Sequence, residues 1–136
     1  MKLLVSPDST TIAYHHSTAG NQMERFVDVV TVATGATEPI VTTRGVNLDP
    51  LFAPDGRTLV YQRTDVENSL DLYAVAARAG AAPVRLSDSM PVGLNKTDLV
   101  APTFVSFPSR LDKAPVPAPT RTSSAGTRAA TGCTTR

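Results

Sequence analysis

Apolar and polar residues over the first 88 positions fall into short runs of strand length, separated by Pro, Gly, Asp and Ser. "LLVSPDSTTIAYHH" (Leu3–His16) and "LFAPDGRTLVYQR" (Leu51–Arg63) each set a Pro-Asp-Ser or Pro-Asp-Gly step between two apolar runs. Proline presets the backbone angle at the second turn position, aspartate bonds its own turn backbone, and glycine accepts positive φ. Each stretch therefore predicts a tight antiparallel hairpin. Ser9 stands where the second stretch has Gly56, so the first turn is expected to be looser or differently built. Further on, "VDVVTV" and "LDLYAVA" are apolar at both odd and even positions. A strand with one wet face alternates, so these segments predict strands covered on both faces. Their β-branched content and Gly/Pro punctuation argue against helix.

The stretches are copies. Pro7 and Pro54 lie 47 positions apart, and Thr11-Ile12-Ala13-Tyr14 falls on Thr58-Leu59-Val60-Tyr61. After a variable polar loop, Phe26–Thr43 pairs with Ser69–Asp88, matching Asp28 to Asp71, Val32 to Val75 and Pro39 to Pro83. A period in the mid-forties with four β-like segments per unit predicts propeller blades. A β-sandwich also buries strands and is the alternative; the internal repeat favours the blade. The expected architecture is all-β: two four-stranded antiparallel propeller-type blades (1–43 and 44–88), forming an incomplete β-propeller. An extended connector (89–118) and a disordered basic tail (119–136) follow.

"SPDSTTIAY" and "APDGRTLVYQRTDVENSLDLYAVAARAGAAPVRLSD" resemble the repeats of TolB-like propellers, which also build the non-catalytic propeller of the prolyl oligopeptidase family of serine peptidases. The resemblance covers Leu3 to Asp88. "LVAPTFVSFPSRLDKAPVPA" (Leu99–Ala118) is similar to the connector that leaves the propeller in bacterial members and opens the hydrolase domain, where an extended strand pair is expected. The match runs through Phe104–Arg110 and drifts at Leu111–Ala114, and no apolar strand follows. One expectation is that the reading frame left the family's sequence near Arg110. The resemblance implies a substrate-gating role: the propeller covers an active site and restricts access to short peptides. A TolB-like protein-binding module without hydrolase activity is the alternative, and the connector discriminates between them. A strand pair of its own favours the peptidase reading; completion of a third blade favours the binding module.

Length and charge narrow the partners. At 136 residues the chain holds one modest domain, and its net charge of +1 points to neither nucleic acid nor an anionic membrane. All twelve acids lie within residues 1–112, against nine Lys/Arg, whereas Lys113, Arg121, Arg128 and Arg136 follow with no acid. That basic tail lacks aromatics and Lys clustering, a poor footprint for nucleic acid. Its Thr/Ser/Ala/Gly composition cannot bury enough surface to offset ordering, which predicts disorder. Cys133 is the only cysteine, which excludes an intrachain disulfide. "MKLLVSPDS" has three consecutive large apolar residues, against the roughly 7–15 of a secretory leader, so a soluble cytoplasmic chain is expected. Propellers close with about four to eight blades. Two blades leave faces and edges uncovered, so self-association, a marginal two-sheet stack or dependence on a missing remainder is expected, and a fragment is favoured.

Catalytic chemistry finds no support in the sequence. A serine hydrolase of this kind needs a Gly-x-Ser-x-Gly elbow, and none occurs; Ser106, Ser109, Ser123 and Ser124 lack the flanking glycines. His15 and His16 have no acid at a suggestive spacing, and adjacent strand positions point to opposite faces, so they are expected at an exposed loop rather than on one metal ion. Glu24, Asp65 and Glu67 read as solvated loop charges, with Asp28 and Asp71 where strands start. No calcium loop or phosphate-cradling glycine loop is present. Met90–Leu94 offers a small apolar patch. No catalytic, cofactor-binding or metal-binding residue is assigned. The expected partner, by resemblance, is a peptide or protein.

Overall fold

The computed structural model describes residues 3–120 apart from 19, 20, 96 and 98. The chain is all-β, with no α-helix among the described residues and no closed barrel. Ten strands run in order: β1 (Leu3–Val5), β2 (Thr11–Thr18), β3 (Asn21–Thr31), β4 (Thr37–Val41), β5 (Val46–Phe52), β6 (Thr58–Asp65), β7 (Asn68–Ala76), β8 (Val84–Arg85), β9 (Thr103–Pro108) and β10 (Pro115–Thr120). β1 to β4 form one antiparallel meander and β5 to β8 a second. A single parallel pairing, Arg25 with Val46, joins them, backed by the Arg25 amide donating to the Gly45 carbonyl at 2.9 Å. No helix of the described residues is long and apolar enough to cross a membrane.

The two Pro-Asp turns have the same build. Ser9 holds φ +60° and Gly56 holds φ +64°. The Ser9 amide donates to the Ser6 carbonyl and the Gly56 amide to the Ala53 carbonyl, both at 2.9 Å. The expectation of a looser first turn is therefore corrected: Ser9 accepts the left-handed conformation. Side chains supply the compensation. Asp8 Oδ1 accepts from Ser6 Oγ (2.6 Å), Thr10 Oγ1 (2.8 Å) and the Thr10 amide (3.1 Å), and Ser6 Oγ accepts the Thr11 amide. In the second turn Asp55 accepts the Arg57 and Thr58 amides and the Thr58 hydroxyl.

The core forms where the meanders lie face to face. Ala13, Val27, Val29, Ile40 and Val41 from the first cluster with Leu59, Tyr61, Tyr73 and Val75 from the second, all buried. Register explains the selection. Ala13 pairs with Val29, and Leu59 and Tyr61 pair with Val75 and Tyr73, so each set shares one face of its sheet. A bulge between Val27 and Asp28 sets Ile40 and Val41 of β4 both inward. The reading that both faces of the third segments are covered fails for β7. Asp71, Tyr73 and Val75 are buried, but Leu70 is 50% exposed and Leu72 43% exposed. Nothing among the described residues covers the far side of the second meander.

Beyond Asp88 the chain forms a separate hairpin. β9 and β10 pair only with each other, from Pro115 opposite Pro108 to Thr120 opposite Thr103. Residues 119 and 120 thus belong to a strand rather than to the expected tail. The rest of that tail, with Ser123, Ser124 and Cys133, lies outside the described residues, as does Met1. Pro115, Pro117 and Pro119 occupy alternate positions of β10.

The matched turns give a reciprocal test. A non-glycine residue in the left-handed region costs about 1 kcal/mol or more, so Ser9→Gly should raise stability by roughly 0.5–1 kcal/mol and Gly56→Ser should lower it by about 1 kcal/mol. Urea unfolding midpoints measure both; equal and negligible shifts would contradict the shared turn geometry.

Candidate functional site

An open cleft of about 560 Å³ lies at one end of the stacked sheets. Met23, Glu24, Arg44, Gly45, Val46, Thr64, Asp65, Val66, Glu67 and Pro102 line it, a size within the range of small-ligand and peptide pockets. The two meanders supply its walls because their hairpin ends lie side by side. β3 contributes Met23 and Glu24, the linker to β5 contributes Arg44 and Gly45, and the β6–β7 turn contributes Asp65 to Glu67.

Backbone geometry fixes this corner. Gly45 holds φ +129°, and a Cβ there would meet the Thr64 carbonyl oxygen at 2.9 Å and Asp65 Cβ at 3.2 Å. Only glycine allows the linker to pass this close to β6. Buried Asn47 ties the same linker down through Nδ2, which donates to the Arg25 carbonyl at 2.6 Å and the Thr43 carbonyl at 3.0 Å.

Two of the acids around the cleft, Glu24 and Asp65, are held by ion pairs, which corrects their reading as solvated loop charges. Glu24, with its side chain 13% exposed, accepts Arg44 Nε at 2.7 Å. Asp65 Oδ2 accepts Arg63 Nη2 at 2.9 Å, while Oδ1 accepts the Glu67 amide (3.0 Å) and Asn68 Nδ2 (2.6 Å). Burial alone would raise the Asp65 pKa; the bonds from Asn68 and Glu67 and the Arg63 charge outweigh it and hold the carboxyl below its ordinary value. Arg63 also donates to the Arg44 carbonyl and sits 5.5 Å over the Tyr73 ring, linking cleft to core. Glu67 is exposed on the rim.

The other singled-out residues lie apart from the cleft lining. His15 and His16 are in the interior of β2, not at an exposed loop. As their alternation requires, they take opposite faces: His15 pairs with Val27 on the core side, and His16 with Phe26 on the outer side. His16 has an acidic partner after all, with Nε2 3.1 Å from Asp28 Oδ2, and Tyr14 Oη donates to the same oxygen at 3.5 Å. Burial, then Arg25, lowers the His15 pKa, and its Nδ1 is buried without a partner. No group of three or more His, Cys, Asp or Glu among the described residues is arranged to hold a metal. Ser106 lies within β9, and Ser109 Oγ accepts the Leu111 amide in the following turn.

Asp71 is the most enclosed charge. Its Oδ2 pairs with Arg85, and its Oδ1 accepts Ser87 Oγ at 2.9 Å and the Ser89 amide at 2.8 Å. Arg85 also pairs with Asp88 at 2.7 Å. Burial pushes the Asp71 pKa up, but Arg85 and the two serines pull it down further, to about 2. Periodicity places Asp71 on a strand but not its bonds, because the partners are Arg85 of the two-residue β8 and Ser87 and Ser89 of the irregular segment that follows.

No family model matches the chain, and no curated protein matches it. Among solved structures it is similar to a chain of Kuenenia stuttgartiensis Hydrazine Synthase, with a TM-score of 0.45 and 22% identity over 62% of this chain. The match spans 28% of that protein's chain.

Two titrations should separate on acidification. The folded chain protonates His15 less readily than the unfolded chain does, so the stability it contributes is present above the ordinary pKa of 6.5 and falls as the pH drops below it. Asp71 behaves likewise lower down: its contribution is complete above 3.8 and is lost as the pH falls toward about 2. Thermal midpoints followed from pH 8 to 2 should show both declines. His15→Gln should remove the first and Asp71→Asn the second; an unchanged profile in either variant would refute its assignment.

Proposed function

We propose that this chain is a non-catalytic, propeller-type segment that gates or positions peptides for chemistry carried elsewhere, as in the prolyl oligopeptidase-like serine peptidases it resembles. Two meanders in tandem match the repeat expected of such blades. One observation carries the peptidase version of this reading. "TFVSFP" of β9 pairs with "PVPAPT" of β10 and with no strand of the second meander. That is the behaviour expected of an extended connector and not of a third repeat unit.

The cleft suits the role. Met23, Val46, Val66 and Pro102 give it apolar walls, and Pro102 belongs to the stretch leading into β9, so the connector borders the opening. Glu24, Asp65 and Glu67 outnumber Arg44 around it. Arg44, though 75% exposed, is offset by Glu24, and Asp65 by Arg63, so Glu67 sets the net charge of the exposed rim. Apolar walls with an acidic rim favour a short extended peptide carrying a basic residue. A TolB-like module that docks a folded protein is the second reading, favoured by the open apolar face of the second meander.

Titration of the chain with short proline-containing cationic peptides, followed by amide chemical shifts, tests this directly. Shifts are expected around Met23–Glu24 and Asp65–Glu67, weakened at least several-fold by Glu67→Lys, with the peptides recovered intact. A fluorophosphonate probe should label no serine. Peptide cleavage or serine labelling would overturn the non-catalytic assignment, and absence of peptide binding would transfer support to the protein-docking module.

A further inference from the structure

The internal contact between the meanders is repeated, unfilled, at both ends of the molecule. Each sheet has two faces, and register assigns them. In the first meander Ala13, Val27 and Val29 face inward, while Leu3, Val5, Ile12, Tyr14, Phe26 and Val30 share the outer face. In the second, Leu59, Tyr61, Tyr73 and Val75 face inward, while Leu51, Val60, Leu72, Ala74 and Val84 share the outer face. Leu86 continues it, its amide bonded to the Leu72 carbonyl.

The sequence repeat maps these faces crosswise. Ala13 of the first inner face corresponds to Val60 of the second outer face, and Val27 and Val29 correspond to Leu70 and Leu72. Ile12, Tyr14 and Val30 of the first outer face correspond to Leu59, Tyr61 and Tyr73 of the second inner face. The buried contact between the meanders thus joins one face of each kind, and the molecule carries a second, open example of both. Leu51 is 49% exposed and Val84 61% on one end, and Leu3 and Val5 are each 55% exposed on the other. Residues 121–136 contain no apolar residue larger than Ala and Cys, a composition unsuited to covering either face.

We propose that a second copy of this chain docks its first meander's outer face on the second meander's outer face, continuing the internal stack from molecule to molecule. The contact is heterologous: each copy gives one face and receives on the other. It leads to rings when the rotation closes and to open stacks when it does not. Edge pairing of strands, by contrast, needs neither face. The proposal rests on the repeat and on exposure and is independent of any gating role.

Size-exclusion chromatography with light scattering, over a range of concentrations, gives the first readout, and wild type is expected to form species larger than a dimer. Leu72→Glu breaks the receiving face and Ile12→Glu the giving face, and each variant alone should be monomeric, with circular dichroism reporting that it stays folded. Each retains one intact face, so an equimolar mixture of the two should give a species of two chains and nothing larger. A variant that loses its β-sheet spectrum is replaced by Leu70→Lys or Val5→Lys, which sit on the same two faces. A wild-type monomer at every concentration, variants that still assemble, or a mixture that stays monomeric would each overturn the proposal.

Discussion

Ala13, Val27 and Val29 pressing on Leu59, Tyr61, Tyr73 and Val75 form the contact on which the remaining structure depends. Burial of a Val- or Leu-sized side chain contributes about 1.5–3 kcal/mol, and this layer also has to offset buried polar atoms that lack partners. Tyr61 Oη, Asn47 Oδ1, His15 Nδ1 and Arg63 Nε are all of this kind, and a group so placed costs about 1–3 kcal/mol. Burial accordingly pushes the Tyr61 pKa up to about 12. Among the described residues, no second buried layer packs on the outer face of either meander. The cleft inherits its shape from the same contact, since its walls come from hairpin ends that the stacking brings together.

One matched position has been solved in two ways. Asp28 and Asp71 occupy corresponding places on β3 and β7. Asp71 is inside the core layer and is neutralised by Arg85 and a cradle of serine donors. Asp28 faces outward and takes His16 and Tyr14 instead. The difference follows from position in the stack: a carboxylate within the contact needs a full cation and several bonds, whereas Asp28 on the outer face, 16% exposed, is held by an imidazole and a phenol. A strand position defined by the repeat therefore does not define its chemistry.

Much of the fold was legible because turn chemistry and repetition agree. Pro7-Asp8 and Pro54-Asp55 marked both hairpins, and the matched segments became β1 to β4 and β5 to β8. Faces were less legible. Leu70 and Leu72 are as apolar as residues that are buried, and only the absence of a covering layer distinguishes them. The Ser9 turn was not legible in the sequence, because Ser6, Asp8 and Thr10 combine to hold a conformation that serine alone disfavours. The cleft was hidden for a similar reason. Gly45 gave no local signal, and its importance comes from a carbonyl at Thr64, distant in sequence.

The three alternating prolines of β10 bear on how the hairpin meets other strands. Residues two apart direct their backbone groups to the same side, so Pro115, Pro117 and Pro119 leave that border with carbonyl oxygens and no amide hydrogens, while Val116, Ala118 and Thr120 serve β9. An approaching strand would find acceptors but nothing to donate to it, and zipping along that rim is suppressed. The chain thus pairs an end-on surface open to stacking with a lateral border chemically closed to sheet growth.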